Sequence, residues 1–196
     1  MPRMRDEVHY GDRLVRCYVD RPPHVDQMFK NAVAQHASAV ALVDGNRRMS
    51  YAELDQRVGR IAASLAALGI GRTDRVALMI ANRNEFVEAM LAVARLGAIS
   101  VPINVRQQRP EIESALTDSE AKVFIYDAEL IERLPDAAVL PALKHRCAIG
   151  TPDPGAIPYA DLLEPAPAPP QAVIADDDVF SILYTSGTTG RPRARC

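Results

Sequence analysis

The run Tyr184-Thr185-Ser186-Gly187-Thr188-Thr189-Gly190-Arg191-Pro192-Arg193 carries the residue types that could do chemistry. Gly187 and Gly190 permit backbone angles that other residues resist, so several N–H groups can point at one spot. Thr185, Ser186, Thr188 and Thr189 add hydroxyl donors, and Arg193 adds a fixed positive charge in a fork suited to phosphate. Donors, a permissive backbone and one cation together make a cradle for a polyphosphate. The loop is not a Walker A sequence, because Gly-Lys-Ser/Thr is missing at the required spacing. On composition alone an ordinary polar turn after a strand stays open. His9, His24, His36 and His145 are scattered along the chain and read as surface residues. Cys17, Cys147 and Cys196 are far apart and odd in number, so the sequence offers neither a disulfide framework nor a metal-ligand cluster. No metal ligand and no catalytic residue is assigned. A reducing cytoplasm is the expected compartment.

The loop has company upstream. Residues 184–192 resemble the phosphate-binding loop of the adenylate-forming superfamily, which holds the acyl- and aryl-CoA synthetases, luciferases and peptide-synthetase adenylation domains. Met49-Ser50-Tyr51-Ala52-Glu53-Leu54 is similar to that family's Thr-Tyr-x-Glu-Leu helix start. Asp74-Arg75-Val76-Ala77-Leu78, with Asn82 and Glu85-Phe86 after it, is similar to its Asp-Arg-Val-Ala strand. Leu96-Gly97-Ala98-Ile99-Ser100-Val101-Pro102-Ile103-Asn104 is similar to its Gly-Ala-x-x-Val-Pro-Ile-Asn strand. The texture of residues 101–106 resembles fatty-acid and aryl CoA ligases more than peptide-synthetase domains.

The resemblance implies that Thr185, Ser186, Gly187, Thr188, Thr189, Gly190 and Arg193 hold the β- and γ-phosphates of ATP. It implies ATP, Mg2+ and coenzyme A as cofactors, and a small carboxylic acid as substrate. The implied reaction is acyl-adenylate formation followed by thioester formation. Two positions depart from the family: Arg193 stands where Lys is usual, and Ala194 where Gly is usual. Arg keeps the charge but is planar and bulkier. Ala would resist a left-handed backbone if one is needed there.

The elements that must position the loop are legible in outline. Residues 25–36 place Val25, Met28, Phe29, Ala32 and Val33 on one helix face, and Met28 and Met90 read as core. A strand at 39–43, a turn at Asp44-Gly45 and a return at 47–49 predict a hairpin. Ser50 and Glu53 form a capping box that opens a helix closed by Gly69. Residues 75–81 form an apolar run buried on both faces, as in a parallel sheet. Asn82 or Asn84 is expected to cap the next helix, which ends at Gly97. Further strands are expected at 99–103, whose Pro places it at an edge or a strand end, and at 122–126, 147–150 and 179–184. Between them a helix starts at Pro110. Alternating strands and helices predict an α/β fold, a parallel-rich sheet flanked by helices.

Residues 1–23 read as an N-terminal arm with little structure. Residues 24–196 read as a partial N-terminal domain of an adenylate-forming enzyme, stopping just after the phosphate loop. The proline-rich stretch at 164–170 reads as a stiff extended connection. The adenine site, the acid pocket and the mobile C-terminal domain implied by the resemblance have no counterpart in these residues. The sequence therefore reads as the N-terminal portion of an AMP-forming acid–CoA ligase, inactive by itself. A non-catalytic remnant, an unrelated nucleotide module and an adenylation domain serving a carrier protein are the alternatives. A frameshift near codon 193 or an incomplete sequence would account for the ending.

Composition sets the outer limits. With 196 residues, 48% hydrophobic and 24% charged, the chain can bury one substantial core. A net charge of −2 gives no support for nucleic-acid binding. The longest stretch free of Asp, Glu, Lys and Arg is residues 31–43, well short of the roughly 20 apolar residues a spanning helix needs. The 20 Arg against 3 Lys most simply reflect a GC-rich coding sequence.

Overall fold

Four successive apolar runs pair into one parallel sheet. A computed structural model describes residues 2–151, 154–168, 171–185 and 193–195. The runs are β5 (Arg75–Met79), β6 (Ile99–Pro102), β7 (Val123–Asp127) and β8 (His145–Ile149), and the two-residue β9 (Ile157–Pro158) extends the sheet. The spatial order is β6-β5-β7-β8-β9, with every pair parallel. β6 lies on one side of β5 and β7 on the other, so the topology switches direction between β5 and β7.

Side-chain alternation splits the core into two layers. Val76, Leu78, Val123, Ile125, Cys147 and Ile149 point to one face, where they meet α1 (Val25–His36), α2 (Tyr51–Ala67) and α3 (Asn84–Arg95). Ala77, Met79, Phe124, Tyr126 and Ala148 point to the other, where they meet α4 (Arg109–Ser119). Both faces are covered, and that is why these strands read as continuous apolar runs.

Local signals set the helix ends. Ser50 Oγ accepts from Glu53 N, and Glu53 accepts from Ser50 N at 2.7 Å, closing the expected capping box. The α3 terminus differs from expectation: Arg83 is the N-cap, with no side-chain capping bond, and Asn84 is the first helical residue. Asp127 at the end of β7 reaches across instead, accepting from Ala81 N at 2.7 Å and from Arg83 at 2.9 Å. On α1, Val25, Phe29 and Val33 face the core, while Met28 flanks that stripe and is exposed, contrary to its reading as core.

Two larger expectations need correction. The N-terminal arm is not unstructured: β1 (Met4–His9) and β2 (Arg13–Tyr18) form an antiparallel hairpin with Gly11 in its turn. A second hairpin, β3 (Val40–Asp44) with β4 (Arg47–Ser50), falls where expected. The strand expected at 179–184 is broken. Ser181 makes a single parallel bridge to Ser100, and the regular strand β10 spans only Leu183–Thr185. Hydrogen bonds on both sides of Ser181 go to Ser100 alone, and then the chain leaves β6 for a different partner, β11 (Arg193–Arg195).

One polar cluster sits inside the apolar layer. Glu88 on α3 is fully buried and takes a bidentate ion pair from Arg57 on α2, at 2.6 and 2.9 Å. Tyr159 donates to the same carboxylate at 3.1 Å. Burial, and then the Glu88 charge, push the Tyr159 hydroxyl well above its usual range, so it stays a protonated donor. The cluster ties α2, α3 and the 3-10 turn Tyr159–Leu163 together. Arg57→Ala leaves an uncompensated buried carboxylate and is expected to cost about 3–5 kcal/mol. Tyr159→Phe removes one hydrogen bond and is expected to cost about 1–2 kcal/mol. Urea unfolding midpoints of the two variants measure the difference.

Candidate functional site

The segment that carries the phosphate-binding residue types is preceded by a strap, residues 171–185, fastened to the domain at four points. The first is an ion pair: Arg72 grips Asp178 with two hydrogen bonds, at 2.9 and 2.6 Å. The second is a close contact at Gly97, whose φ is +63°. A Cβ there would stand 3.2 Å from Ile174 Cγ1. The third is Ser100, which donates its N–H to Phe180 O at 3.1 Å and accepts from Ile182 N at 2.9 Å. Its hydroxyl donates to Phe180 O, and the Ser181 hydroxyl donates back to Ser100 O. The fourth is Tyr184, whose hydroxyl donates to Asp118 at the end of α4 at 2.6 Å. Ile182 and Tyr184 also lean on the α4 layer of the core.

At the Ser100–Ser181 bridge the strap runs in the direction of β6. That direction carries the chain toward the carboxyl edge of the sheet, where open parallel sheets bind their ligands. Thr185 ends β10, and Arg193 opens β11 directly opposite it. The pairing sets the two residues that flank 186–192 against each other as a neck. Of the expected phosphate ligands, Thr185 and Arg193 are thus brought together by their backbones. Ser186, Gly187, Thr188, Thr189 and Gly190 lie outside the described residues. Ala194 pairs with Tyr184 within the strand, so the backbone there is extended and does not call for Gly.

Sequence reasoning missed the strap's fastenings. No role was assigned to Asp178 or Asp118, because partners 106 and 66 residues away leave no local signal. Elsewhere, expectation and structure part. His9 is not isolated: its Nε2 lies 3.1 Å from Glu7 and 3.8 Å from the Cys17 sulfur. These three side chains offer metal-ligating atoms within 4.8 Å of one another. A cation is already in place, because Arg21 grips both Glu7 oxygens at 2.9 and 2.8 Å. Arg21, and then Arg5, hold the Glu7 carboxyl far below its usual range. Cys147 lies in the core, and burial pushes its thiol up to about 12, which makes it inert. Arg106 is exposed, while Arg109 donates to Glu132 O at 2.8 Å. Among the described residues, no helix is long and apolar enough to cross a membrane.

Comparison with known proteins adds family identity to this geometry. Residues 29–194 match the family model of the AMP-binding enzymes. A long-chain-fatty-acid–CoA ligase, FadD13 of Mycobacterium tuberculosis, is 41% identical over 155 residues, covering 74% of this chain and 29% of its own length. A feruloyl-CoA synthase from Amycolatopsis is 35% identical over 161 residues, covering 82% of this chain and 30% of its own. Among solved structures, the anthranilate CoA ligase AuaEII in complex with anthranoyl-AMP superposes with a TM-score of 0.83 at 28% identity. That superposition covers 89% of this chain and 35% of AuaEII. The chain therefore spans about three-tenths of the length of its curated relatives.

The strap gives a testable pH dependence. The Arg72 hydrogen bonds, followed by the Ala175 N–H, lower the Asp178 carboxyl from its ordinary 3.8. A depressed pKa stabilises the fastened state fully above that ordinary value, and the contribution is lost as pH falls through the lowered one. In Arg72→Gln the Asp178 carboxyl is expected to rise toward its ordinary 3.8, with the Ala175 N–H still holding it somewhat below, as seen by carboxyl NMR. Hydrogen exchange at Ser100 and Ile182 should accelerate, while the amides of β5 and β7 keep their protection.

Proposed function

Because the chain belongs to the AMP-binding enzyme family, we propose that it forms the N-terminal portion of an ATP-dependent, AMP-forming acid–CoA ligase. The observation that carries this reading is the run of donors between the paired strands β10 and β11, in a chain whose relatives are named as acid–CoA ligases. In the proposed reaction a substrate carboxylate displaces pyrophosphate from the α-phosphate of ATP, and the acyl group then passes to the thiol of coenzyme A.

This chain's own part is to bind and orient. Thr185, Ser186, Thr188 and Thr189 supply hydroxyls, and the backbone at Gly187 and Gly190 can turn its N–H groups inward. Arg193 neutralises phosphate charge, alongside the Mg2+ that such substrates carry. The donor set fits a polyphosphate, since every group in it can donate and one is a permanent cation. Donors fixed before the substrate arrives need no reorganisation, and the paired neck at Thr185 and Arg193 serves that end. A fatty or aryl acid as substrate and a cytoplasmic setting belong to the same proposal.

These 196 residues alone are not expected to complete adenylation, because they span 29% and 30% of the relatives above. The purified chain should give no ATP–pyrophosphate exchange with a long-chain fatty acid or with ferulic acid. Exchange above a no-acid control would overturn that statement. Binding is a separate matter. Titration with Mg-ATP should show weak association, and Arg193→Ala should weaken it about tenfold, as expected for the loss of one charge-assisted contact. Equal affinity in the two proteins would remove Arg193 from the site. Transfer to a phosphopantetheine carrier in preference to coenzyme A, tested in a longer protein containing this segment, would point to an adenylation domain instead.

A further inference from the structure

The N-terminal hairpin is turned the wrong way for a ribbon lying on a folded domain. Its polar face looks inward: Glu7, His9 and Cys17 are partly buried around Arg21, which also reaches Asp176 on the strap at 3.1 Å. Its apolar face looks outward, with Met4 42%, Val8 64%, Leu14 66% and Tyr18 53% exposed. Antiparallel ribbons normally bury the apolar side and solvate the polar one. A slip of one residue would reverse the two faces. The bidentate Arg21–Glu7 pair fixes the present setting.

The outward face also has an ordered charge pattern. The register sets Met4 opposite Tyr18, Asp6 opposite Arg16 and Val8 opposite Leu14. Asp6 and Arg16 are exposed and, among the described residues, neither holds an ion pair. One acid and one base therefore stand unpaired at the centre of a small apolar patch. The family match begins at residue 29, after the hairpin.

We propose that this face is a two-fold interface between two copies of this chain. A two-fold axis lying between the ribbons and parallel to their strands sets each residue over the residue that faces it across its own hairpin. Asp6 of one copy then meets Arg16 of the other, twice by symmetry. Met4 meets Tyr18 of the second copy, and Val8 meets Leu14. The alternative two-fold axis, perpendicular to the strands, would stack Asp6 on Asp6 and Arg16 on Arg16. Charge thus selects one arrangement and opposes the other. A face of six residues per copy is smaller than a standard interface of about 800 Å² per partner, so the dimer is a weak one.

Charge reversal tests the arrangement. Analytical ultracentrifugation of the intact chain, up to about 500 μM, should show a reversible, weak monomer–dimer equilibrium. Asp6→Arg alone, or Arg16→Asp alone, places like charges across the axis and should raise the Kd at least tenfold. An equimolar mixture of the two single variants should associate again. The substituted position 6 of one chain then faces the substituted position 16 of the other with opposite charge, and the native Arg16 and Asp6 meet at the second contact. Native mass spectrometry of one isotopically labelled variant identifies that heterodimer. Its recovery also shows that each variant is folded, since mixing cannot repair a misfolded hairpin. A wild-type chain that stays monomeric throughout, single variants that dimerise like wild type, or a mixture that fails to associate would each overturn the proposal.

Discussion

Ser100 is completely buried at the open side of β6, where a parallel sheet presents backbone groups with no further strand to pair them. A buried amide left without a partner costs about 1–3 kcal/mol, so the edge demands an occupant. The strap supplies it. Phe180 O takes the Ser100 N–H, Ile182 N and the Ser181 hydroxyl satisfy the Ser100 carbonyl, and no group at that point is left over. The place where β10 starts follows from this local requirement. Once residues 180–182 are pinned, β10 must begin just beyond them, and its pairing with β11 brings Thr185 opposite Arg193.

The domain uses guanidinium groups where other proteins use apolar staples. Arg57 joins α2 to α3, and Arg95 on α3 reaches Asp26 on α1 and Asp55 on α2. Arg83 links the start of α3 to the end of β7, while Arg75 on β5 bonds Ser119 O and Glu120 at the end of α4. Each joins two elements through a planar fork that a Lys could not reproduce. The shortage of Lys, read from the sequence as a coding bias, thus coincides with a structural use for the Arg.

The sequence was most informative where a period meets a burial demand. β5 and β7 alternate between two covered faces, so their apolar runs were legible to within two residues. The Ser50–Glu53 box and Gly69 marked the ends of α2. Legibility failed where a side chain reaches a distant partner. Glu88 looks like a solvent-facing helix acid until Arg57 and Tyr159 are seen around it. Asp26, almost fully buried, is likewise explained only by Arg95 and Lys30. The N-terminal hairpin was missed because charged residues interrupt its alternation, and because its apolar face is the outer one. For the loop, residue types and family resemblance indicated a phosphate cradle, but the strap that positions it depends on pairings 66 to 106 residues apart.

Those separations have a consequence during translation. The last long strand of the sheet, β8, is complete at Ile149, whereas the partners of Ser100 arrive only at Phe180–Ile182. At ribosomal speeds of about 5–20 residues per second, the nascent sheet waits roughly 2–6 seconds with its β6 side unpaired. In that interval β6 is a template for any extended chain nearby. Its shortness, four residues ending in Pro102, limits the register over which a stranger could zip up.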